Sequence, residues 1–228
     1  SWTRPLKLTG RNMNENGVKT MSMKNSMSYP VLYMFTVTFI ATGVLVGFSR
    51  ATDSRAEANK RVFFERAVLL AAGLEDQWEM TPGDVHKTFL EQVKEPTQDT
   101  AGAYRLMHGE SVAVYALPFE GRGFWDRIKG VIGVKADGVI VTGLAFYEQN
   151  ETPGLGAEID QPPFTSRFRN LKLGSGKVAL DLRPVGTRSK DNEVDAITGA
   201  TQTCTRLEDI INEAIEKWRR GMESSGKS

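Results

Sequence analysis

The stretch Asp195-Ala-Ile-Thr-Gly-Ala-Thr-Gln-Thr203 sets two hydroxyls, Thr198 and Thr201, on either side of the small residues Gly199 and Ala200. A backbone without bulk lets a large ligand come close. Just downstream, Thr205-Arg-Leu-Glu208 has the S/T-x-x-E form of a capping box and predicts a helix from about Thr205. That helix would aim its unpaired N–H groups and the positive end of its dipole at the Thr201 region, favouring an anion bound or attached there. A Thr-rich turn that only caps a helix has the same spacing, so spacing alone leaves both readings open.

A second stretch, Glu151-Thr-Pro-Gly-Leu-Gly156, reads as a rigid turn whose backbone N–H groups could meet a ligand; a plain structural loop is the competing reading. Glu151 is a lone carboxylate, and one carboxylate without a partner supports no acid–base assignment. Cys204 is the only cysteine, which rules out an intramolecular disulfide and any cysteine-ligated zinc or iron–sulfur site within the chain. It reads as a small buried residue at the start of a helix. With only His86 and His108, no metal site is expected, and His108 reads as a turn residue. Gly174-Ser-Gly-Lys177 lacks both the upstream Gly, where Leu171 stands, and the Ser or Thr after the Lys, where Val178 stands, so it is no Walker loop. No Gly-x-Gly-x-x-Gly opens a helix, so no dinucleotide fingerprint is present. A net charge of +1 over 228 residues gives no case for a nucleic-acid partner, since phosphate binding needs a clustered basic surface.

These residues need elements to hold them. Residues 1–28 form a polar, basic segment (Arg4, Lys7, Arg11, Lys19, Lys24 against Glu15), expected to be a cytoplasmic tail. No charge occurs from Asn25 to Ser49, and residues 29–49 are expected to form a transmembrane helix, since about 20 apolar residues cross a hydrocarbon core. The basic excess ahead of it places the domain of residues 50–221 on the extracytoplasmic side. A separate amphipathic helix is expected over 54–72, ended by Gly73, and a short one over 84–93. Strands follow at 104–107 and 111–117 around a His108-Gly109-Glu110 turn. Two more, 128–134 and 139–147, are joined through Asp137-Gly138. Gly121 to Trp125 is expected to be a loop with Phe124 and Trp125 as core anchors. Residues 162–170 read as a short helix and 178–182 as a strand. In the last helix Leu207, Ile210, Ile211, Ala214, Ile215 and Trp218 share one face. Residues 222–228 read as a polar tail.

Asp195-x-x-Thr-Gly-Ala-Thr201 resembles the flavinylation motif of the FMN-binding subunits of two related membrane complexes, the Rnf electron-transport complex and the Na+-translocating NADH:quinone oxidoreductase. Glu151–Gly156 lies at the expected distance upstream and matches the same family. The resemblance implies FMN carried covalently on Thr201 through a phosphoester. It also implies a surround of Asp195, Thr198, Gly199 and Ala200, and of Glu151, Thr152, Gly154, Leu155 and Gly156 lining the flavin site. It implies a flavin transferase for maturation, other membrane subunits and the lipid bilayer as partners, and a bacterial or archaeal cell membrane as location. Such a protein is a redox carrier, not catalytic on its own. A stand-alone membrane-anchored flavoprotein of another extracytoplasmic electron chain is the alternative. The fold expected is α+β: one N-terminal transmembrane helix, then a mixed, largely antiparallel sheet flanked by helices.

Overall fold

The computed structural model describes residues 28–74, 79–176 and 178–225. The chain forms two compact units, Ser1–Ser54 and Arg55–Ser228. The expected N-terminal tail, apart from Ser28, and the last three residues of the C-terminal tail lie outside the described residues.

Helix α1 spans Ser28–Ala71 without a break, where two separate helices were expected. Residues 50–61 carry Arg, Ala, Glu and Lys and no Gly or Pro, so nothing there stops a helix. In the first unit, Tyr29–Asp53 is exposed, and it is long and apolar enough to cross a membrane. Two of its hydroxyls bond back along the helix: Thr36 Oγ1 donates to the Leu32 carbonyl at 2.8 Å, and Thr52 Oγ1 to that of Phe48 at 3.0 Å.

The second unit is built on a five-stranded antiparallel sheet in the order β1 (Val93–Lys94), β2 (Tyr104–His108), β3 (Ser111–Arg122), β4 (Arg127–Lys135), β5 (Val141–Glu148). Alternation along these strands sends side chains to opposite faces. Leu117, Phe119, Ile132 and Leu144 pack with α4 (Thr201–Ser225) through Leu207, Ile211, Ile215 and Trp218. Ala116, Val131 and Ala145 pack on the other face with Ala67, Val68, Leu69 and Ala71 of α1, and with Val85 and Phe89 of α2 (Pro82–Gln92). One sheet between two helical layers buries both faces. The C-terminal end of α1 lies close on the paired Gly133 and Gly143, and a Cβ at Gly133 would run into the Ala71 carbonyl and Thr142 Oγ1. Thr142 Oγ1 donates to that carbonyl at 2.6 Å, and Gly73 follows at φ 96° as the left-handed cap.

A parallel pair, β6 (Asp181–Arg183) and β7 (Glu193–Asp195), stands apart from the main sheet. The strand expected over 178–182 is therefore shorter and shifted. Leu180 gives its N–H to Asn212 Oδ1 at 2.9 Å and takes Asn212 Nδ2 on its carbonyl at 2.7 Å, so a side chain fills the place of a ladder. The helix expected over 162–170 is α3 (Pro162–Thr165) continued by a 3-10 turn, Ser166–Phe168. β3 also continues through Gly121 and Arg122, which pair with Ile128 and Arg127, into the segment expected to be loop.

Candidate functional site

The chain leaves β7 at Asp195 and enters α4 at Thr201 through a tight turn. Arg167 Nη1 donates to the Asp195 carbonyl at 2.7 Å, and Ala200 N–H to the Ile197 carbonyl at 3.1 Å. Gly199 sits at φ 84°, a conformation that a side chain would strain. Cys204 N–H donates to the Ala200 carbonyl at 2.9 Å, so helical bonding starts from Ala200 and Thr201 is the first helical residue. The start expected at Thr205 is thus too late. Glu208, the fourth residue of the supposed capping box, instead accepts the Leu182 N–H across to β6 at 2.9 Å.

This start makes the anion argument more direct. The first N–H groups of a helix have no carbonyl behind them and carry the positive end of its dipole. Here they belong to Thr201 and its neighbours. Thr198, Gly199 and Thr201 are exposed, and Ala200 is buried. Among the described residues the Thr201 hydroxyl has no hydrogen-bond partner. No base is therefore in place to activate it, yet it is open to a reagent from outside.

Past the exposed Gln202, two side chains turn inward. Cys204 is buried and takes the Ile197 N–H on Sγ at 3.4 Å, as expected of a small helix-start residue. Burial pushes its thiol up from the ordinary range, more than the Ile197 amide pulls it down. Thr203 is buried too, and its Oγ1 donates to Glu151 Oε2 at 2.7 Å.

That bond brings the Glu151–Gly156 loop to the start of α4. Glu151 is 4% exposed, and its Oε1 accepts the Trp125 N–H at 3.0 Å. Its own N–H goes to Gln149 Oε1, whose Nε2 holds Asp160. The Thr152 carbonyl closes the loop by accepting Leu155 N–H at 3.1 Å and Ala157 N–H at 3.0 Å, with Gly154 at φ 73°. Gly156 is packed so closely that a Cβ there would lie 2.6 Å from Thr203 Oγ1. Leu155 leans toward the turn before α4: a Cβ at Gly199 would come to 3.2 Å from Leu155 Cδ2.

The structure thus joins Thr198, Gly199, Ala200 and Thr201 with Glu151, Thr152, Gly154, Leu155 and Gly156. Asp195 is placed differently. Its carboxylate is turned to the Gly186 N–H at 3.2 Å and the Arg188 guanidinium at 3.2 Å, and only its backbone belongs to the turn. Three contributors escaped the sequence reading. Thr203 is the inward hydroxyl, and Phe124 and Trp125, expected as core anchors, are 48% and 65% exposed. They stack edge to face on one another beside the Glu151 carboxylate that Trp125 caps. Their glycine punctuation, Gly121 and Gly123, was the available signal.

This surface suits a ligand with an anionic end and an apolar, planar body. The helix start and the exposed hydroxyl serve the first, and Leu155, exposed and leaning on the Gly199 turn, offers apolar area to the second. The residues present therefore fit FMN. Another cavity, of about 440 Å³, runs along β5 between Leu70, Phe146 and Pro162; no residue of the site lines it.

Comparison with known proteins agrees with this geometry. An FMN-binding domain model matches residues 123–216, which include the Glu151 loop and the start of α4. The NqrC subunit of the Na+-translocating NADH-quinone reductase from Neisseria meningitidis (strain Z2491) is 27% identical, across 79% of this chain and 86% of that one. Its counterpart from Vibrio vulnificus (strain YJ016) is 35% identical over 46% of this chain and 42% of its own. Two solved structures share the fold at 20% identity. They are the NqrC proteins from Parabacteroides distasonis (TM-score 0.57, 76% of this chain and 96% of that one) and from Shewanella oneidensis (TM-score 0.60, 76% and 100%).

Proposed function

We propose, for a chain that belongs to the FMN-binding subunit family of the Na+-translocating quinone reductase and the Rnf complex, that it is a membrane-anchored electron-transfer subunit with FMN esterified to Thr201. The observation that carries this reading is the place of Thr201: an exposed hydroxyl on the first residue of a helix, beside the Glu151–Gly156 loop. Bound FMN supplies the one- and two-electron chemistry.

The chain's own residues do the rest. Thr201 Oγ would be the acceptor that takes the FMN phosphoryl group as the pyrophosphate bond of FAD breaks. AMP would leave, and the hydroxyl proton would pass to the flavin transferase, since among the described residues none bonds to that hydroxyl. The N–H groups opening α4 would hold the phosphodiester, whose negative charge the helix dipole would favour by about 0.3–1 kcal/mol. Leu155 would cover part of the ring, and the Gly199 turn would leave room for the ribityl chain. Helix residues Tyr29–Asp53 anchor the unit in the bilayer, with the second unit on the extracytoplasmic side. The relatives' names favour the sodium-translocating quinone reductase as the complex in which it relays electrons.

The test is intact mass and in-gel flavin fluorescence of the chain co-expressed with a flavin transferase, beside Thr201→Ala. A gain equal to FMN minus water, absent in the variant, is the expected result. No gain in the parent, with the transferase active on another substrate, would overturn the reading.

A further inference from the structure

The buried acidic side chains Glu65, Glu151 and Glu193 have different employments. Glu65 pairs with Arg61 and His86 on the α1 side of the sheet, and Glu193 accepts the N–H groups of its own Ser189–Lys190 turn. Glu151 bridges the widest span of the three, from Trp125 to Thr203. Its Oε1 takes the Trp125 N–H at 3.0 Å, and the Asp126 N–H lies at 3.5 Å. Its Oε2 takes the Thr203 hydroxyl at 2.7 Å. Two glycines close around the group. A Cβ at Gly123 would run into Oε1, and one at Gly156 would stand 3.0 Å from Oε2. The carboxylate therefore has one place to be, and the first turn of α4, with Thr201 on it, is bonded to that place.

We propose that Glu151 is the positioning residue of the site. Through Thr203 and the Trp125 amide it locks the first turn of α4 to the aromatic turn at Phe124–Trp125. Thr201 is thereby presented in one orientation, and the attached flavin is held in one pose. This deepens the reading of Thr201 as the FMN carrier and rests on it. Glu151 touches neither reacting atom; it acts through Thr203.

The chemistry of the link makes it separable from mere folding. Glutamine at 151 can accept the Trp125 N–H with its oxygen and donate to Thr203 with its nitrogen, keeping both ties without the charge. Alanine removes both ties, and Thr203→Val removes one without changing shape.

The experiment uses the full chain in detergent with purified flavin transferase, FAD and Mg2+. It measures flavinylation rates, the fluorescence anisotropy of the attached flavin, and amide exchange before loading. Glu151→Ala and Thr203→Val each lower kcat/KM for flavinylation on the order of tenfold, through misplacement of the acceptor hydroxyl. The double variant falls no further than Glu151→Ala, because both changes cut one link. Glu151→Gln returns to within about twofold of the parent. Anisotropy drops in the Ala and Val variants, and exchange rises at Trp125 and in residues 199–204 together. Parent-like rates and anisotropy in a folded Glu151→Ala chain overturn the proposal, as do losses that multiply in the double variant. Unchanged exchange in Glu151→Ala removes the clasp itself, whatever the flavin does. If instead exchange responds while the parent takes up no FMN, the carrier reading fails, and the positioning role falls with it.

Discussion

Two helix ends press against glycines in the second unit, and they are put to opposite uses. At the C-terminal end of α1, Gly133 and Gly143 let the backbone lie on the sheet, and Thr142 Oγ1 satisfies the Ala71 carbonyl. Ala71, Val131 and Ala145 are buried around that contact. At the N-terminal end of α4, Gly156 and Gly123 admit a carboxylate instead, and only the inward half of the helix turn is satisfied. Thr203 and Cys204 face in, while Thr201 stays outside without a partner among the described residues. A helix C-terminus exposes acceptors and an N-terminus exposes donors, so the second junction is the one an anion can use. The first junction holds the fold; the second holds an exposed hydroxyl in a fixed place.

The sharpest way to break this contrast is to fill each junction. Gly133→Ala drives a Cβ into backbone that cannot move aside, and we expect a loss of roughly 3 kcal/mol or more in chemical denaturation, with FMN uptake per folded molecule retained. Gly156→Ala should reverse the balance. It displaces Thr203 and Glu151 side chains, costs roughly 1–2 kcal/mol, and lowers flavinylation more than stability, as seen by comparing melting with loading. An Ala at 156 that loads like the parent would erase the distinction between the two ends.

Much of this fold can be read from periodicity. The apolar face of α4, the uncharged run of α1 and the Asp137-Gly138 hairpin all follow local patterns that physics imposes on neighbours in sequence. The failures share a cause. The start of α4 was misread because Thr205 and Glu208 fit a local motif, while tertiary contact sends Glu208 to the Leu182 N–H. Phe124 and Trp125 were assigned to the core on side-chain type, which says nothing about whether a turn faces in or out. Thr203 and Glu151 stand 52 residues apart, so no spacing rule connects them. Thr201 and the Glu151 loop were legible only as motifs; that one carboxylate joins them was not.

Smaller effects sharpen the picture of the α4 end. Burial raises the Cys204 thiol, so alkylation by iodoacetamide at neutral pH should be many-fold slower in the folded chain than in denaturant. Rapid labelling would mean the helix start opens. Burial also raises the Glu208 carboxyl, opposed by its bond from the Leu182 amide. An acid whose folded pKa lies above its unfolded value contributes stability at low pH that is lost as pH rises through the folded value. Glu208→Gln, which keeps an acceptor for Leu182, should therefore gain slightly on the parent between pH 4 and pH 7 in denaturation midpoints. A gain in the opposite direction would show that charge, not burial, governs that side chain.

The turn before α4 also bears on the order of biogenesis. Thr201 becomes a helix-start residue only when β7, the Gly199 turn and the Glu151 loop have come together, and Asp195 by then has its carboxylate engaged with Arg188. A modifying enzyme that reads this surface thus meets it only on finished molecules. On the proposed reading of Thr201, cofactor loading would act as a checkpoint, marking chains that have folded.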